Sequence, residues 1–214
     1  MNYSFRKKNK TVKYIVIHYT GMKSLKDAYS RLTNINSEVS IHYLISRKGI
    51  IYNLLCPRLK AWHAGESRWK NNKNINDYSI GIELENKGHD YGYENFSKKQ
   101  YLSINQLIQF LSFNFNIKNH DIIFHSDISP NRKKDPGEKF YLNKLKIDRF
   151  NHLNIKKKNY SIKQLLYLYG FNKNYIKKYE KQCILSIKRV LNYKKIDPFI
   201  SKKFYIDFYN LLIK

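Results

Sequence analysis

Cysteine is almost absent. Cys56 and Cys183 are the two in 214 residues; they lie far apart and neither belongs to a CxxC pair, which excludes a disulfide framework and a thiolate zinc site. Both are expected to be reduced and structural. Long apolar runs are missing too. No stretch approaches the roughly 20 residues of a membrane-spanning helix, and the opening MNYSFRKKNK passes into a strand with no apolar signal region. The expectation is a soluble chain, cytoplasmic as sequenced, with a periplasmic or envelope-associated location as the alternative if an export segment was removed. Acidic residues are scarce: 16 Asp and Glu stand against 41 Lys and Arg, a formal charge of +25. Such a charge favours encounter with any polyanion, cell-wall polymers included. The lysines, however, are spread along the whole chain among abundant Asn, Ile and Tyr, as AT-rich codon usage produces, so no specific nucleic-acid partner is expected. No internal repeat is evident, and the length allows one full domain plus a small second one.

What is present is an alternation of strand and helix signals. Thr11 to Thr20 (TVKYIVIHYT) is too apolar and β-branched to be half exposed, so it reads as a central strand ending near His18. Ser24 can cap a helix whose Leu25, Ala28, Tyr29 and Leu32 share one face. IHYLIS and IIYNLL flank Arg47-Lys48-Gly49 as a hairpin, and YSIGIELEN is a second buried strand, carrying Glu83 in apolar surroundings. Ser97-Lys-Lys-Gln matches a capping box ahead of Tyr101, Ile104, Leu107, Ile108 and Leu111. HDIIFH then delivers His125 to a strand end. This pattern predicts an α/β fold, a mixed central β-sheet flanked by helices. Beyond a basic joint, IKKKNYS, only helices follow: Ser161 to Tyr169 closed by Gly170, one around Tyr175 to Leu191, and one around Ser201 to Ile213. The expected organisation is a catalytic domain over 1–155 and a small C-terminal three-helix module over 156–214.

Three candidate metal ligands fall at the edge of this sheet: His18, His125 and Asp135. Two imidazoles and a carboxylate, with a fourth position left for water, suit a catalytic zinc ion, because a closed site leaves no room for substrate. Such an ion activates water and polarises a carbonyl, and amide hydrolysis is its natural use. The Asp135-Pro136-Gly137 turn can aim the carboxylate back at His125. Lys133 can reach the same space and stabilise an oxyanion, while Glu83 is placed to move a proton from the water to a leaving nitrogen. Taken singly, a strand-end histidine is ordinarily structural and a DPG turn is common, so each residue alone leaves the bland alternative open.

Taken together, VIHYT, HYLI, AWHAG, SIGIELEN and HSDISPNRKKDPG, in this order over about residues 10 to 150, resemble the zinc-dependent N-acetylmuramoyl-L-alanine amidases of the type 2 amidase family. The resemblance implies cleavage of the amide between the lactyl group of N-acetylmuramic acid, or its anhydro form, and L-alanine, in peptidoglycan or muropeptides. It implies Zn²⁺ held by His18, His125 and Asp135, with Glu83 and Lys133 catalytic. Trp62 and His63 would line the groove for the muramyl peptide, and Asn86 would reach the stem peptide. The alternative within this fold is a non-catalytic peptidoglycan recognition protein. Lys134 is expected to be a solvated charge, His42 a satisfied histidine of the core or one standing behind a metal ligand, and His89, His120 and His152 surface or packing residues. Many relatives follow DPG with Phe-Pro-Trp; this chain has Phe140-Tyr141-Leu142. The C-terminal helices look like a peptidoglycan-binding module, and the whole is expected to be a monomer.

Overall fold

A computed structural model describes residues 2–150 and 159–212. His152, most of the basic joint and the 155/156 boundary lie outside the described residues. The chain opens with β1 (Tyr3–Ser4), then β2 (Tyr14–Tyr19), helix α1 (Leu25–Thr33), the hairpin β3 (Tyr43–Ile45) and β4 (Ile51–Asn53), and β5 (Lys60–Ala61), which pairs with β1. A small ribbon, β6 (Arg68–Trp69) and β7 (Asn72–Lys73), precedes β8 (Ser79–Leu84). Next come α2 (Gly88–Tyr91), α3 (Lys98–Phe115), β9 (Ile122–Phe124) and the one-turn α4 (His125–Ile128). Helices α5 (Ile162–Tyr169), α6 (Lys173–Val190) and α7 (Lys202–Leu212) complete the described chain.

The central sheet has the order β4-β3-β8-β2-β9, with β3, β8, β2 and β9 parallel and β4 antiparallel at the edge. Ile15, Val16 and Ile17 on β2 are fully buried, as a strand covered on both faces requires. Because β2, β8 and β9 run the same way, their C-terminal ends open on one edge, where α/β sheets bind ligands. His18 and Glu83 are register partners on neighbouring parallel strands, so their side chains leave the same face.

The helices form as their caps predict. Ser24 accepts from the Asp27 backbone N–H, and Ser97 with Gln100 makes a complete capping box. On α3, Tyr101, Ile104, Leu107, Ile108 and Leu111 are all buried. Tyr29 departs from the expected apolar face of α1: it is largely exposed and meets Tyr52 edge-on at 6.3 Å. Helix α6 is broken at Tyr179, whose backbone leaves helical angles, so the expected single long helix is two segments. Of the two free cysteines, Cys183 is buried in the core and Cys56 is exposed. Among the described residues no helix is long and apolar enough to cross a membrane.

One apolar cluster runs from the sheet, through Trp69, into α5, α6 and α7. Trp69 is wedged edge-on against Tyr169 and Phe171, at 5.7 and 5.9 Å between ring centroids. Gly170 ends α5 at φ +128°, and a Cβ there would lie 2.4 Å from the Trp69 ring. The residue that reads as a helix stop is therefore also the space the indole occupies. Deeper still, Asp127 of α4 is fully buried: Oδ2 accepts from the Phe124 backbone N–H (2.9 Å) and Arg149 Nη2 (2.7 Å), and Oδ1 accepts from the Tyr169 hydroxyl (2.8 Å). Two residues from His125, this carboxylate ties α4 to α5. Breaking a buried pair by removing one partner strands a charge at a cost of about 3–5 kcal/mol. Arg149→Leu is therefore expected to lower the unfolding free energy measured by urea denaturation by an amount of that order; an unchanged midpoint would show that the pair is not holding α4 in place.

Candidate active site

His18 is the penultimate residue of β2, and His125 follows β9 as the first residue of α4. Asp135 arrives on the loop beyond α4, where the Ser126 backbone N–H donates to its carbonyl at 2.9 Å. Gly137, at φ +81°, turns the chain away against the rings of Tyr93 and His89. The Tyr93 hydroxyl donates to the Pro136 carbonyl (2.6 Å) and accepts from the Lys139 N–H (2.9 Å), which pins the turn.

Three polar atoms converge. His18 Nδ1 and His125 Nδ1 are 2.8 Å apart, and Asp135 Oδ2 lies 3.2 Å from the first and 2.9 Å from the second. All three residues are buried. These separations are close to the edge of about 3.3 Å that a tetrahedral ion with ligands at about 2.0–2.1 Å would set. Burial, then the neighbouring His125, pushes the His18 imidazole down to about 4, so it is neutral near pH 7. For the Asp135 carboxyl, burial alone acts upward; its contacts with His125 and then His18 outweigh it and hold the group well below the usual carboxylate range. The Nε2 of His125 faces the Ala64 carbonyl at 3.3 Å. A carbonyl only accepts, so His125 carries its proton on Nε2 and presents a bare Nδ1 to the other two atoms.

The cavity beside this cluster has a volume of ≈ 720 Å³, and Glu83, Lys133, Trp62 and His63 line it with His125 and Asp135. Glu83 Oε2 is shut off from solvent without a hydrogen-bond partner. Burial, then the Asp135 charge, pushes the Glu83 carboxyl well above its usual range, while Lys133 acts against both. Lys134 is exposed at the rim, as expected of a solvated charge.

The remaining expected residues are placed as follows. Trp62 is half-buried, its indole N–H donating to Ser4 Oγ at 2.9 Å. His63 stands between His18 Nε2 (2.9 Å) and Ser79 Oγ (3.2 Å), so both its ring nitrogens have partners inside the protein. Asn86 lies outside the cavity lining; its side chain donates to the Glu94 carbonyl (2.8 Å) and accepts from the Gly88 N–H (3.0 Å). His42 is satisfied between the Gly81 N–H and the Leu59 carbonyl. His89 packs on Tyr93 at 4.4 Å and bridges Tyr19 and Glu138. Sequence reasoning passed over Asn76, whose Oδ1 accepts from the backbone N–H groups of both His63 (3.1 Å) and Ala64 (2.8 Å). It also passed over Gly81. A Cβ on Gly81 would lie 2.4 Å from Ile41 and 2.7 Å from the His63 ring, so the glycine makes the room in which that ring stands. A glycine inside a strand is the signal that marks such close approach.

A family model described as N-acetylmuramoyl-L-alanine amidase matches residues 8–138. The N-acetylmuramoyl-L-alanine amidase AmiD of Escherichia coli (strain K12) is 35% identical over 141 residues, which cover 60% of this chain and 50% of that protein. The 1,6-anhydro-N-acetylmuramyl-L-alanine amidase AmpD of Haemophilus influenzae is 39% identical over 103 residues, 48% of this chain and 54% of that one. The chain thus spans about half the length of the curated relatives it matches. Among solved structures, the complex of E. coli AmiD with its substrate anhydro-N-acetylmuramic acid-L-Ala-D-γ-Glu-L-Lys is similar over 96% of this chain and 91% of that one, with a TM-score of 0.76 and 25% identity. AmpDh3 from Pseudomonas aeruginosa, in complex with anhydromuramic pentapeptide, shares the fold at a TM-score of 0.78 over 96% of this chain and 94% of that one, at 24% identity. Both structural matches extend over the C-terminal helices.

Gly81→Ala is expected to overpack the strand against Ile41 and His63 and to destabilise the protein by about 1–3 kcal/mol. Chemical denaturation measures it, and an unaltered midpoint would show that the ring can move aside freely.

Proposed function

The chain belongs to the N-acetylmuramoyl-L-alanine amidase family, and from that premise we propose that it hydrolyses the amide between N-acetylmuramic acid and the L-alanine of a stem peptide. The anhydro-muramyl form is favoured as substrate because the AmpD relative is named for it and the similar AmiD structure holds an anhydro-muramyl peptide as its substrate. Residues 1–155 would form the catalytic domain and residues 156–214 the helical module, acting as a monomer. The observation that carries the proposal is the facing of His18 Nδ1, His125 Nδ1 and Asp135 Oδ2 within 2.8–3.2 Å of one another. An ionised carboxylate oxygen against a bare imidazole nitrogen repels unless a cation lies between them. Nitrogen and oxygen donors without thiolate, one of them a carboxylate, fit zinc in a catalytic setting.

Zinc bound there would lower the pKa of a coordinated water and polarise the lactyl carbonyl. Glu83 takes a proton from the attacking water and delivers it to the alanine nitrogen as the C–N bond breaks, which leaves a lactyl carboxylic acid and a free amine. Its missing hydrogen-bond partner and its raised carboxyl suit both halves of that transfer. Lys133 supplies a positive charge on the same cavity wall, where an oxyanion would develop. The complete set of ligands, base and cation argues against a purely recognising protein.

Release of the stem peptide from an anhydro-muropeptide, followed by mass spectrometry as purified, after chelation and after zinc is restored, tests the assignment. Activity that vanishes and returns with the metal is expected; zinc bound without any cleavage would contradict it. Glu83→Ala is expected to keep its zinc while losing turnover by about 10²–10⁴-fold, and full activity there would reassign the base. Lys133 lowers the Glu83 pKa, so Lys133→Ala raises it further, and the acid limb of kcat/KM is expected to move to higher pH. A limb that stays in place or moves to lower pH would separate Lys133 from Glu83.

A further inference from the structure

A neutral imidazole carries one proton, and fixed neighbours decide which nitrogen holds it. Ser79 Oγ lies 2.8 Å from the Ile75 carbonyl. Two oxygens that close repel unless the hydroxyl hydrogen lies between them, so Ser79 donates to Ile75 and has only lone pairs left for His63. The contact at 3.2 Å is then a hydrogen bond from His63 Nε2–H to Ser79 Oγ, and His63 Nδ1 is bare. That bare nitrogen stands 2.9 Å from His18 Nε2, which must donate to it. The chain of donors therefore runs one way, from His18 to His63 to Ser79 to Ile75, and leaves His18 Nδ1 without a proton.

The next residue does the same for the other imidazole: Ala64 O takes the Nε2–H of His125 at 3.3 Å. Asn76 holds both backbone N–H groups of this dipeptide, and the space at Gly81 admits the His63 ring. We infer that His63 is a positioning residue which holds His18 in the Nε2–H form, so that the His63–Ala64 segment turns both bare Nδ1 atoms toward Asp135. The purpose of the device rests on the metal site proposed above; the tautomers belong to the protein alone. His63 thus acts through His18, and its two nitrogens are already engaged within the protein. Partners of this kind behind metal-binding histidines fix the ring and raise its basicity.

Long-range ¹H–¹⁵N spectra of the imidazoles in metal-free protein at pH 7 test the inference directly. His18 and His63 are both expected as Nε2–H tautomers, and a His63 protonated at Nδ1 would overturn the chain. Competition with a chromophoric chelator for zinc provides a second reading. His63→Phe fills the space but accepts nothing, and is expected to weaken zinc binding about 10–100-fold. His63→Asn places an amide oxygen near the former Nδ1 and is expected to recover most of that loss. Equal affinity in His63→Phe and the unaltered protein would overturn the role. If His63→Phe does not fold, Ser79→Ala replaces it: loss of the last acceptor is expected to mix the tautomers of His63 and weaken zinc binding, and unchanged spectra would overturn the relay. An unaltered protein that shows the expected tautomers yet takes no zinc would keep the relay and remove the metal site.

Discussion

Three acceptors crowd within 3.2 Å of one another in the interior, and the surrounding elements keep them there. Left to themselves, two imidazole nitrogens and a carboxylate oxygen would turn away or take up protons. Each is prevented by something rigid. The parallel arrangement of β2, β8 and β9 delivers His18, Glu83 and His125 to one edge, and the anchored turn after Asp135 holds its backbone beside them. A neutral His18 imidazole and an ionised Asp135 carboxylate follow from burial and mutual contact. The same burial, acting on Glu83, whose Oε2 lacks a hydrogen-bond partner, raises its carboxyl. One cluster thus contains groups pushed in opposite directions, as hydrolytic sites require.

Support for this edge comes from far along the chain. Asp127 links the turn that carries His125 to Arg149 and to Tyr169 of α5. Asn192, just beyond α6, donates to the carbonyls of Glu138 and Phe140 (2.7 and 3.0 Å), which lie on the loop that follows Asp135. Arg189 of α6 lies 4.0 Å from Glu138. With the apolar cluster running unbroken into α5, α6 and α7, the C-terminal helices bear on the loop that carries Asp135.

Much of this was legible in the sequence because it is local. Strand ends, the capping box at Ser97, the hairpin at Gly49 and the glycine stop at Gly170 follow from residue type and spacing, and the five short motifs brought His18, Glu83, His125, Lys133 and Asp135 to one place. What was not legible depends on contacts between distant segments. Nothing near His63 in the chain announces that Ser79 and Gly81 will stand beside its ring. The partner of Asp127 lies 22 residues on, and the use of Gly170 by Trp69 joins positions about a hundred residues apart. Tyr29 and the break at Tyr179 fail for a different reason: an apolar periodicity states which residues can share a face, and tertiary packing decides which of them do.

X-ray absorption at the zinc edge, on protein loaded with one equivalent, probes the converging acceptors most directly. The predicted spectrum is four-coordinate, with nitrogen and oxygen at about 2.0–2.2 Å and outer-shell scattering from two imidazoles. A sulfur shell at about 2.3 Å, or an ion without imidazole scattering, would place the metal elsewhere and contradict the account.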